Sequence, residues 1–526
     1  MPASTSSKNS PAFRRKSAPA ARPAAGPILA AVVLAALSAA AIAFFYSQGC
    51  LLYYGDAAAH INVARRIVDS RTPGWEQVGT VWLPLPHLLM VPLVGFDSLW
   101  MTGLAGSIPC GFCFVLAGVL IFLAARSVFA DGTAAAAACL LLAVNPNLLY
   151  LQAIPMTEAV FLACVAALLY ATVRFRETQS WGAVAGAGLA ALAASMTRYE
   201  GWFVIPFVAL YFLVAAKERR WKHAIVFGFI ASVGPLYWFA HNYFFFDDWL
   251  AFYSGPSSAR AIYQRALDAN MGRYPGDHDW RMAWFYMREA VGLCAGQPLV
   301  WLSLAGGVVA LVRRAWWPLV LLALAPLFYV WSLHSGGTPI FMPQLWPHSY
   351  YNTRYAIAAL PLLAFAAAAL VTLAPARFRR LAAVLVVLAA ISPWLAYPRM
   401  ENWICWKESQ VNSEARRAWT REGADFLRAN YRRGDGIVTS FGDQTAIYQQ
   451  AGIPLRETYS ECNGRAWKKV MNAPQPPLRE KWAVAISGDI VAHAIERLQR
   501  TGPRYDLLKT ISVKGGPVIE IYRRQQ

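Results

Sequence analysis

Apolar stretches long enough to cross a membrane as helices dominate this 526-residue chain. About eleven of them recur before residue 398, with lengths close to the roughly 17–25 residues that a transmembrane helix needs. They lie near residues 26–46, 101–124, 133–150, 158–173, 181–197, 201–216, 224–243, 295–312, 315–333, 355–374 and 381–397. Only 15% of all residues are charged, against about a quarter in soluble proteins. The sequence therefore predicts a polytopic α-helical membrane protein.

Basic residues between these stretches predict the orientation of the chain. If the first stretch runs from inside to outside, every second connection is cytoplasmic, and short cytoplasmic loops favour Lys and Arg. Those connections do carry basic residues: Arg126, then Arg174 and Arg176, then KERRWKH, then Arg313 and Arg314, then RFRR. We therefore expect a cytoplasmic amino terminus and an exterior carboxyl-terminal end. A cleaved signal peptide is the alternative for the first stretch, but its length favours an uncleaved span.

Composition divides the chain into three predicted regions. Residues 1–25 are rich in Ala, Ser and Pro, are basic and contain no acid, so they predict a disordered cytoplasmic tail. Residues 26–397 form the membrane domain, with exterior loops at 48–100 and 244–294. Residues 398–526 contain the strand-like runs GIVTSFGD, WAVAISGD and PVIEIYRR and the helical run AHAIERLQR, which predict a small exterior α/β domain.

The predicted exterior domain has two features whose interpretation stays open. It is rich in Lys and Arg within a chain of net charge +19, so it could bind anionic headgroups or glycans; a solvated basic surface is the alternative. Cys405 and Cys462 both belong to it. A disulfide between them is one expectation for an oxidising compartment, and two free thiols are the other.

The stretch YYGDAAAHINVARR places charged residues just after the first predicted span. From Ala57 onward its apolar residues recur at helical spacing, which predicts a helix along the membrane surface with Arg65 and Arg66 near lipid phosphates. Asp56 stands at the start of this helix, where capping of backbone amides is the structural alternative to a chemical role. His60 follows one turn later on the same face. It could bind a metal with Asp56 or a hydrogen-bond partner, and packing is the alternative.

Three further charged residues lie at the outer ends of predicted spans. Glu158 begins the fourth span. Its negative charge either interacts favourably with the positive end of the helix dipole or has a functional role, since an ionisable group at this place is otherwise costly. We expect Arg198 and Arg354 to bind an anionic partner such as a lipid phosphate. Snorkelling towards headgroups is the alternative for both arginines. Glu200 could form a structural ion pair with Arg198.

The loop HSGGTPIFMPQLWPHSYYNTRY is dense in aromatic residues, Pro, Gly and His. An aromatic belt explains part of this composition, and a loop of this length also suits a lid or a groove for an extended ligand. His348 is a weaker candidate for hydrogen bonding or metal binding, and Tyr355 for substrate contact. The sequence contains no zinc-type spacing or nucleotide-binding fingerprint. We therefore expect no nucleic-acid partner and no certain cofactor, while a divalent metal stays possible.

Several of these motifs, in this order, resemble those of GT-C-fold membrane glycosyltransferases. They are GDAAAH, WLPLPH, NPNLLYLQAIPMTE, TRYEGW and NTRYAIAALP, and the likeness covers roughly residues 27 to 400. The sequence is most similar to the bacterial group of protein O-mannosyltransferases and aminoarabinose transferases. The resemblance implies a bacterial inner-membrane enzyme with a polyprenyl-phosphate-linked sugar donor. It also implies transfer on the outer face and, usually, inversion at the anomeric carbon.

The resemblance also implies roles for individual residues. Asp56 corresponds to the essential carboxylate of the first exterior loop, and Glu158 to a second acid that often assists. The family often has another acid directly after that aspartate, whereas here Ala57 follows Asp56. A carboxylate at this place suits a general base for the acceptor hydroxyl. Fixed arginines suit the departing phosphate, with Arg354 the first candidate and Arg198 the second.

The leading functional hypothesis is therefore a glycosyltransferase that acts on the outer face of the membrane. Its partners would be a polyprenyl-phospho-sugar, membrane lipids and an acceptor that is a glycan, a lipid or a protein. A transporter or flippase for lipid-linked saccharides is the alternative, although transporters place their charged sites near mid-bilayer. A non-catalytic scaffold that binds glycan is the third hypothesis.

Overall fold

The computed structural model of the chain describes residues 25–464 and 466–525. The disordered tail predicted for residues 1–25 lies outside the described residues, except for Ala25, which begins the first helix. Eighteen α-helices precede residue 397 in the described part: α1 (Ala25–Ser47), α2 (Gly55–Val68), α3 (Leu85–Val94), α4 (Asp97–Thr102), α5 (Leu104–Phe129), α6 (Gly132–Ala143), α7 (Pro146–Gln152), α8 (Glu158–Thr178), α9 (Trp181–Ser195), α10 (Glu200–Ala215), α11 (Arg220–Phe246), α12 (Ala251–Ser254), α13 (Ala259–Asp268), α14 (Trp280–Ala295), α15 (Gln297–Val312), α16 (Trp317–Ser335), α17 (Leu360–Ala368) and α18 (Arg379–Ala396). Short 3₁₀ helices at Trp75–Val78, Thr353–Ala359, Ala369–Leu373 and Ala376–Phe378 connect some of them.

The apolar helices confirm a polytopic membrane protein. Within the described residues, 7 helical segments are long and apolar enough to cross a membrane, or up to 9 if two bent pairs each count as one span. Each apolar stretch of the sequence overlaps a helix, but the stretches at 133–150 and 295–312 fall within the bent pairs α6–α7 and α14–α15. The stretches at 181–197 and 201–216 form helices of 15 and 16 residues. Such helices span only about 24 Å, less than the ~30 Å of a hydrocarbon core.

The turn between α9 and α10 explains why these two helices are short. The chain reverses between Ser195 and Glu200, and Trp202 Nε1 donates to the Ser195 carbonyl at 2.8 Å. Gly201 lies so close to the end of α9 that a Cβ there would be 2.4 Å from the Ala194 carbonyl carbon. The close approach therefore requires glycine, and it fixes the turn that carries Arg198.

Helix α2 does not lie against lipid as the sequence predicted. Arg65 and Arg66 are buried and do not face lipid phosphates. Arg65 forms ion pairs of 2.7 Å with Asp69 and with Asp97, and Arg66 donates to the backbone carbonyl of Gln77 at 2.6 Å. The prediction was wrong because the apolar face of α2 is covered by protein, namely by α3 and the carboxyl-terminal residues.

The carboxyl-terminal part confirms the predicted small α/β fold. It contains α19 (Ile404–Asn430), α20 (Thr445–Ala451), α21 (Ala466–Met471), α22 (Ile490–Thr501) and the strands β1 (Ile437–Thr439), β2 (Thr458–Tyr459), β3 (Trp482–Ile486), β4 (Tyr505–Ile511) and β5 (Ile519–Arg524). The five strands form one sheet in the order β2-β1-β3-β5-β4. The first three of these are parallel, and β5 is antiparallel to both β3 and β4. The three strand-like runs of the sequence are β1, β3 and β5.

Of the two alternatives left open for Cys405 and Cys462, the structure has the free thiols and not the disulfide. Cys405 is buried at the start of α19, and its sulfur lies 3.8 Å from that of Cys294 in α14. Cys462 instead lies beside the guanidinium of Arg66. The two cysteines belong to one region of the sequence, but each packs against a different part of the membrane domain.

Candidate active site

A cavity of about 1190 Å³ lies between the membrane domain and the carboxyl-terminal domain. One side of α2 lines it through Asp56, His60, Val63 and Arg66, which recur every three or four residues. The loop 76–83, the turn before α10, the end of α16 and the segment 337–355 form further walls. Residues of α13 and residues 441–442, 461–462, 464 and 467–468 of the carboxyl-terminal domain also line the cavity. The cavity therefore gathers residues from most of the sequence, including both candidate arginines.

Arg354 is the centre of a buried ionic cluster beside this cavity. It is 7% exposed, and its guanidinium forms an ion pair with the Asp56 carboxylate. Its Nε lies 3.3 Å from Glu158 and its Nη1 lies 3.4 Å from Glu408. The ring of Tyr355 lies 5.2 Å from the guanidinium carbon. Three carboxylates thus fix one planar cation, which excludes the snorkelling alternative.

Arg198 extends the cluster from the turn between α9 and α10. Its Nη1 lies 3.1 Å from Glu158, and its Nε lies 2.7 Å from Glu200, so the predicted ion pair with Glu200 is confirmed. Tyr329 accepts a hydrogen bond from Arg198 and donates one to Glu200. Glu158 therefore bridges the two arginines and holds their charges side by side.

Glu408, on the first turns of α19, is the cluster residue that the sequence analysis missed. Its carboxylate accepts backbone hydrogen bonds from Asn352 at 3.0 Å and from Thr353 at 2.8 Å. Burial raises the pKa of Glu408, and Arg354 and the Thr353 hydrogen bonds act in the opposite direction. Glu408 lies on the buried face of α19, but the sequence alone does not distinguish it from the other charged residues of that helix.

Asp56 differs from the other carboxylates in its exposure. Its side chain is 40% exposed, against 2% for Glu408 and 6% for Glu158. Helix α2 begins at Gly55 with Tyr54 as its N-cap, so Asp56 lies in the first turn and is not the capping residue. Asp56 lines the cavity, whereas Glu158 and Glu408 lie behind the arginines. Of the cluster's carboxylates, Asp56 is therefore the one best placed to meet a ligand.

His60 lies one turn along α2 and also lines the cavity. Its Nδ1 is 2.9 Å from Nε2 of His87 in α3, and the ring of Trp82 lies against it at 4.4 Å. Burial, followed by the charges of Arg354 and Arg198, lowers the pKa of His60 to about 3. The imidazole is therefore neutral at ordinary pH.

The remaining candidates divide into one that joins the site and one that does not. Tyr355 lines the cavity and stacks on Tyr329 with ring centroids 4.7 Å apart. His348 is exposed, its Nδ1 lies 3.0 Å from the Pro343 carbonyl, and it does not line the cavity. Among the described residues, no group of three His, Cys, Asp or Glu could hold a metal ion. Asp56 and His60 have other partners, namely Arg354 and His87.

The described helices and the cavity at the domain boundary form a polytopic membrane fold, and comparison with known proteins assigns this fold to the GT-C class. Residues 98–241 match the family model described as dolichyl-phosphate-mannose-protein mannosyltransferase. This match and the structural similarities below confirm the resemblance that the sequence motifs carry.

The solved structures that resemble this chain include two of one protein. The chain is similar to ArnT from Cupriavidus metallidurans bound to undecaprenyl phosphate, with a TM-score of 0.55 and 14% identity over 95% of this chain and 98% of that chain. The same protein in the apo state gives a TM-score of 0.54 and 14% identity over 94% and 98%. No curated protein sequence matches the chain. At this level of identity the similarity shows the fold.

Proposed function

We propose that the protein is a glycosyltransferase that moves a sugar from a polyprenyl-phosphate-linked donor to an acceptor hydroxyl. The observation that carries the proposal is the pair of fixed arginines, Arg354 and Arg198, beside one partly exposed carboxylate, Asp56, in a cavity of about 1190 Å³. The structure of ArnT bound to undecaprenyl phosphate supports this class of donor. The positive-inside pattern supports a site on the outer face.

Arg354 is the proposed ligand of the donor phosphate, with Arg198 next to it. A guanidinium presents a planar fork that suits phosphate oxygens. Charge builds up on the departing phosphate as the glycosidic bond breaks, so a positioned cation stabilises the transition state more than the ground state. Because Glu158 and Glu408 hold the Arg354 side chain, little reorganisation is needed during the reaction.

Asp56 is the proposed general base. Its carboxylate forms an ion pair with Arg354. A donor phosphate would compete for the same guanidinium and release the Asp56 oxygens towards the acceptor hydroxyl. Attack by that hydroxyl opposite the phosphate would invert the anomeric carbon, with the hydroxyl proton passing to Asp56.

Glu158 has a different proposed role, because it lies between two guanidiniums and does not line the cavity. We assign it to positioning both arginines, an assistance that does not require contact with the sugar. Tyr355, which packs on the guanidinium of each arginine, is the proposed wall of the phosphate subsite.

The test is sugar transfer by purified protein in detergent from a panel of synthetic polyprenyl-phospho-sugars. Wild-type protein should transfer or release one labelled sugar, and Asp56→Asn should lose at least about 100-fold of that turnover. Asp425→Asn is the matched control, because Asp425 is an exposed aspartate paired with Arg428 on α19. It should leave turnover unchanged.

Other outcomes identify the alternatives. Intact donors together with movement of lipid-linked saccharide across vesicles would favour a transporter. Binding without turnover, unchanged in Asp56→Asn, would favour a glycan-binding scaffold. Loss of turnover with a chelator and recovery with a divalent ion would show metal dependence.

A further inference from the structure

The cavity extends beyond the ionic cluster to an end that the proposed mechanism does not use. It follows α2 from Asp56 to Arg66, two residues that are ten positions apart, or ~15 Å along the helix axis. At Arg66 the wall includes Phe441, Glu461 and Cys462 of the carboxyl-terminal domain. We call the region lined by Arg66, Phe441, Glu461 and Cys462 the far subsite.

Arg66 is a buried cation that forms no ion pair with any described residue. It is 7% exposed and lines the cavity. Its Nη2 donates to the Gln77 carbonyl at 2.6 Å and its Nη1 to the Cys462 sulfur, and its guanidinium carbon lies 3.8 Å from the centroid of the Phe441 ring. Each Nη atom carries a second N–H group, and Nε has no acceptor among the described residues. Because buried donors are normally satisfied, these unused donors beside a cavity indicate a ligand.

The carboxyl ends of two parallel strands supply the rest of the far subsite. Strands β1 and β2 are neighbours in the sheet, and Phe441 and Glu461 each follow the last residue of one of them by two positions. Oε2 of Glu461 accepts from the Phe441 amide at 2.8 Å, and no described residue donates to its Oε1. In open α/β sheets, ligands bind outside the carboxyl ends of the strands. The topology of the sheet and the unused donors of Arg66 therefore indicate the same place.

The hydrogen-bonding groups of the far subsite indicate the chemistry of its ligand. Arg66 can only donate, whereas the carboxylate of Glu461 can only accept. Glu76, next to Gln77 on the cavity wall, adds a second carboxylate. An anionic ligand would suit Arg66 but would be repelled by both carboxylates. A hydroxyl both donates and accepts, so a neutral ligand with several hydroxyls can use every group, and a saccharide is such a ligand.

We propose that the far subsite binds a neutral sugar unit of the acceptor, so that the acceptor is an oligosaccharide. One unit presents its hydroxyl to Asp56, and a further unit of the same chain contacts Arg66 and Glu461. The ~15 Å of helix between Asp56 and Arg66 separates the two positions. This role rests on the proposed function, and it adds the class of acceptor that the proposed function leaves open.

The first test does not depend on activity, because Cys462 reports on the far subsite. Cys462 is partly exposed, whereas the other seven cysteines are buried. Methyl methanethiosulfonate should therefore label full-length protein in detergent at Cys462, with Cys462→Ser as the control that stays unlabelled. At least one of a panel of neutral di-, tri- and tetrasaccharides should slow this labelling. The expected factor is about 10-fold at about ten times the dissociation constant, because only the free protein reacts.

The same labelling distinguishes a sugar from an anion. Inorganic phosphate, at concentrations at which the saccharide protects, should leave the labelling rate unchanged. Protection by phosphate and by no saccharide would make the far subsite an anion site and overturn the proposal. Equal labelling rates with and without every member of the panel would also overturn it.

The second test measures sugar transfer to acceptors of increasing length. Glu461→Gln keeps an oxygen for the Phe441 amide but replaces the other oxygen by a donor. It should lower kcat/KM for the oligosaccharide acceptor by about 10-fold or more, as expected for a hydrogen bond to a charged group. The loss should appear in the acceptor KM, because Glu461 is remote from the reacting atoms. Transfer to a monosaccharide acceptor and release of sugar to water should be unchanged.

Two further variants separate this subsite from general damage. Arg66→Met should show the same dependence on acceptor length as Glu461→Gln. Glu496→Gln on α22, where the side chain of Glu496 is 67% exposed, should match wild type with every acceptor. An equal loss for short and long acceptors in Glu461→Gln would contradict the subsite. If Arg66→Met fails to fold, Glu461→Gln and the protection of Cys462 still decide.

Failure of the proposed function gives a different result. If wild type transfers no sugar from any donor, the proposed glycosyltransferase activity fails. Protection of Cys462 by a neutral saccharide would then still show a sugar site, whereas transfer without such protection would reject the far subsite alone.

Discussion

At the scale of single residues, Arg354 should matter for stability as well as for activity. Arg354→Met would leave Glu408 and Glu158 without a shared cation in a buried place. Breaking a buried ion pair by removing one partner costs about 3 kcal/mol or more, which should appear as a lower midpoint of thermal unfolding. The double variant Arg354→Met/Glu408→Gln should recover part of that loss, because it also removes the unpaired charge.

The control for this prediction is Arg428→Met on α19. Arg428 and Asp425 form an exposed ion pair, with side chains 52% and 58% exposed. Such pairs contribute at most about 1 kcal/mol, so the midpoint should hardly move. A similar loss of stability in Arg354→Met and Arg428→Met would contradict the structural role of the cluster.

The buried histidines predict a dependence of stability on pH. Burial lowers the pKa of His60 to about 3 and lowers that of His87 well below the ordinary value for histidine, about 6.5. As the pH falls below 6.5, these histidines become protonated in the unfolded chain but stay neutral in the folded protein. The free energy of unfolding therefore decreases by up to about 1.4 kcal/mol per pH unit for each histidine. Thermal unfolding midpoints between pH 7.5 and 4.5 should therefore fall.

The variant His60→Gln/His87→Gln isolates this effect. It should show a shallower fall of the midpoint than wild type over the same range. The raised pKa of Glu408 acts in the opposite sense, since a proton bound by the folded state stabilises it at low pH. Glu408 is present in both proteins, so the difference between their slopes reports the histidines. Equal slopes would mean that the rings are not buried and neutral.

At the scale of secondary-structure elements, the conformation of the turn between α9 and α10 should change when a single methyl group is added at Gly201. A Cβ on Gly201 would lie 2.5 Å from the Ala194 carbonyl oxygen as well as from the Ser195 nitrogen. Backbone atoms cannot yield as side chains do, so Gly201→Ala should displace the turn and with it Arg198. We expect a lower unfolding midpoint and a loss of at least about 10-fold in turnover, because small displacements of positioned groups are costly.

Gly186→Ala on α9 is the matched substitution. A Cβ there would meet only the Cβ of Ala171, at 3.9 Å. Replacing a helical glycine by alanine favours the helix by roughly 0.5–1 kcal/mol, so this variant should be as stable as wild type or more so, with full turnover. Equal effects of the two substitutions would show that the α9–α10 contact does not hold the site.

At the scale of the whole molecule, the sequence predicted which residues have chemistry but not how they pair. The sequence identifies four candidate residues, because an ionisable group at the end of an apolar stretch is costly and indicates a function. They are Asp56, Glu158, Arg198 and Arg354. The sequence could not predict that these residues contact one another, since Asp56 and Arg354, for example, are 298 positions apart. Glu408 was missed among the many charges of α19. An amphipathic pattern also does not say whether lipid or protein covers its apolar face, and this is why α2 was misplaced.

The contact between the two domains gives a last prediction, because residues of both domains line the cavity. Asp69, at the end of α2, accepts from Arg65 at 2.7 Å and, on the carboxyl-terminal domain, from Arg456 at 2.8 Å and the Leu455 backbone amide at 3.2 Å. Asp69→Ala would leave Arg65 and the Leu455 amide without this partner. It should speed protease cleavage between α19 and β1 and reduce turnover.

Asp506→Asn tests whether any loss of charge on the carboxyl-terminal domain has this effect. Asp506 lies on β4, is exposed and accepts from Gln525 within the same domain, so both cleavage and turnover should match wild type. Loss of turnover in Asp69→Ala without faster cleavage would assign Asp69 to the shape of α2 alone. Faster cleavage with full turnover would mean that the membrane domain holds the reacting groups without its partner.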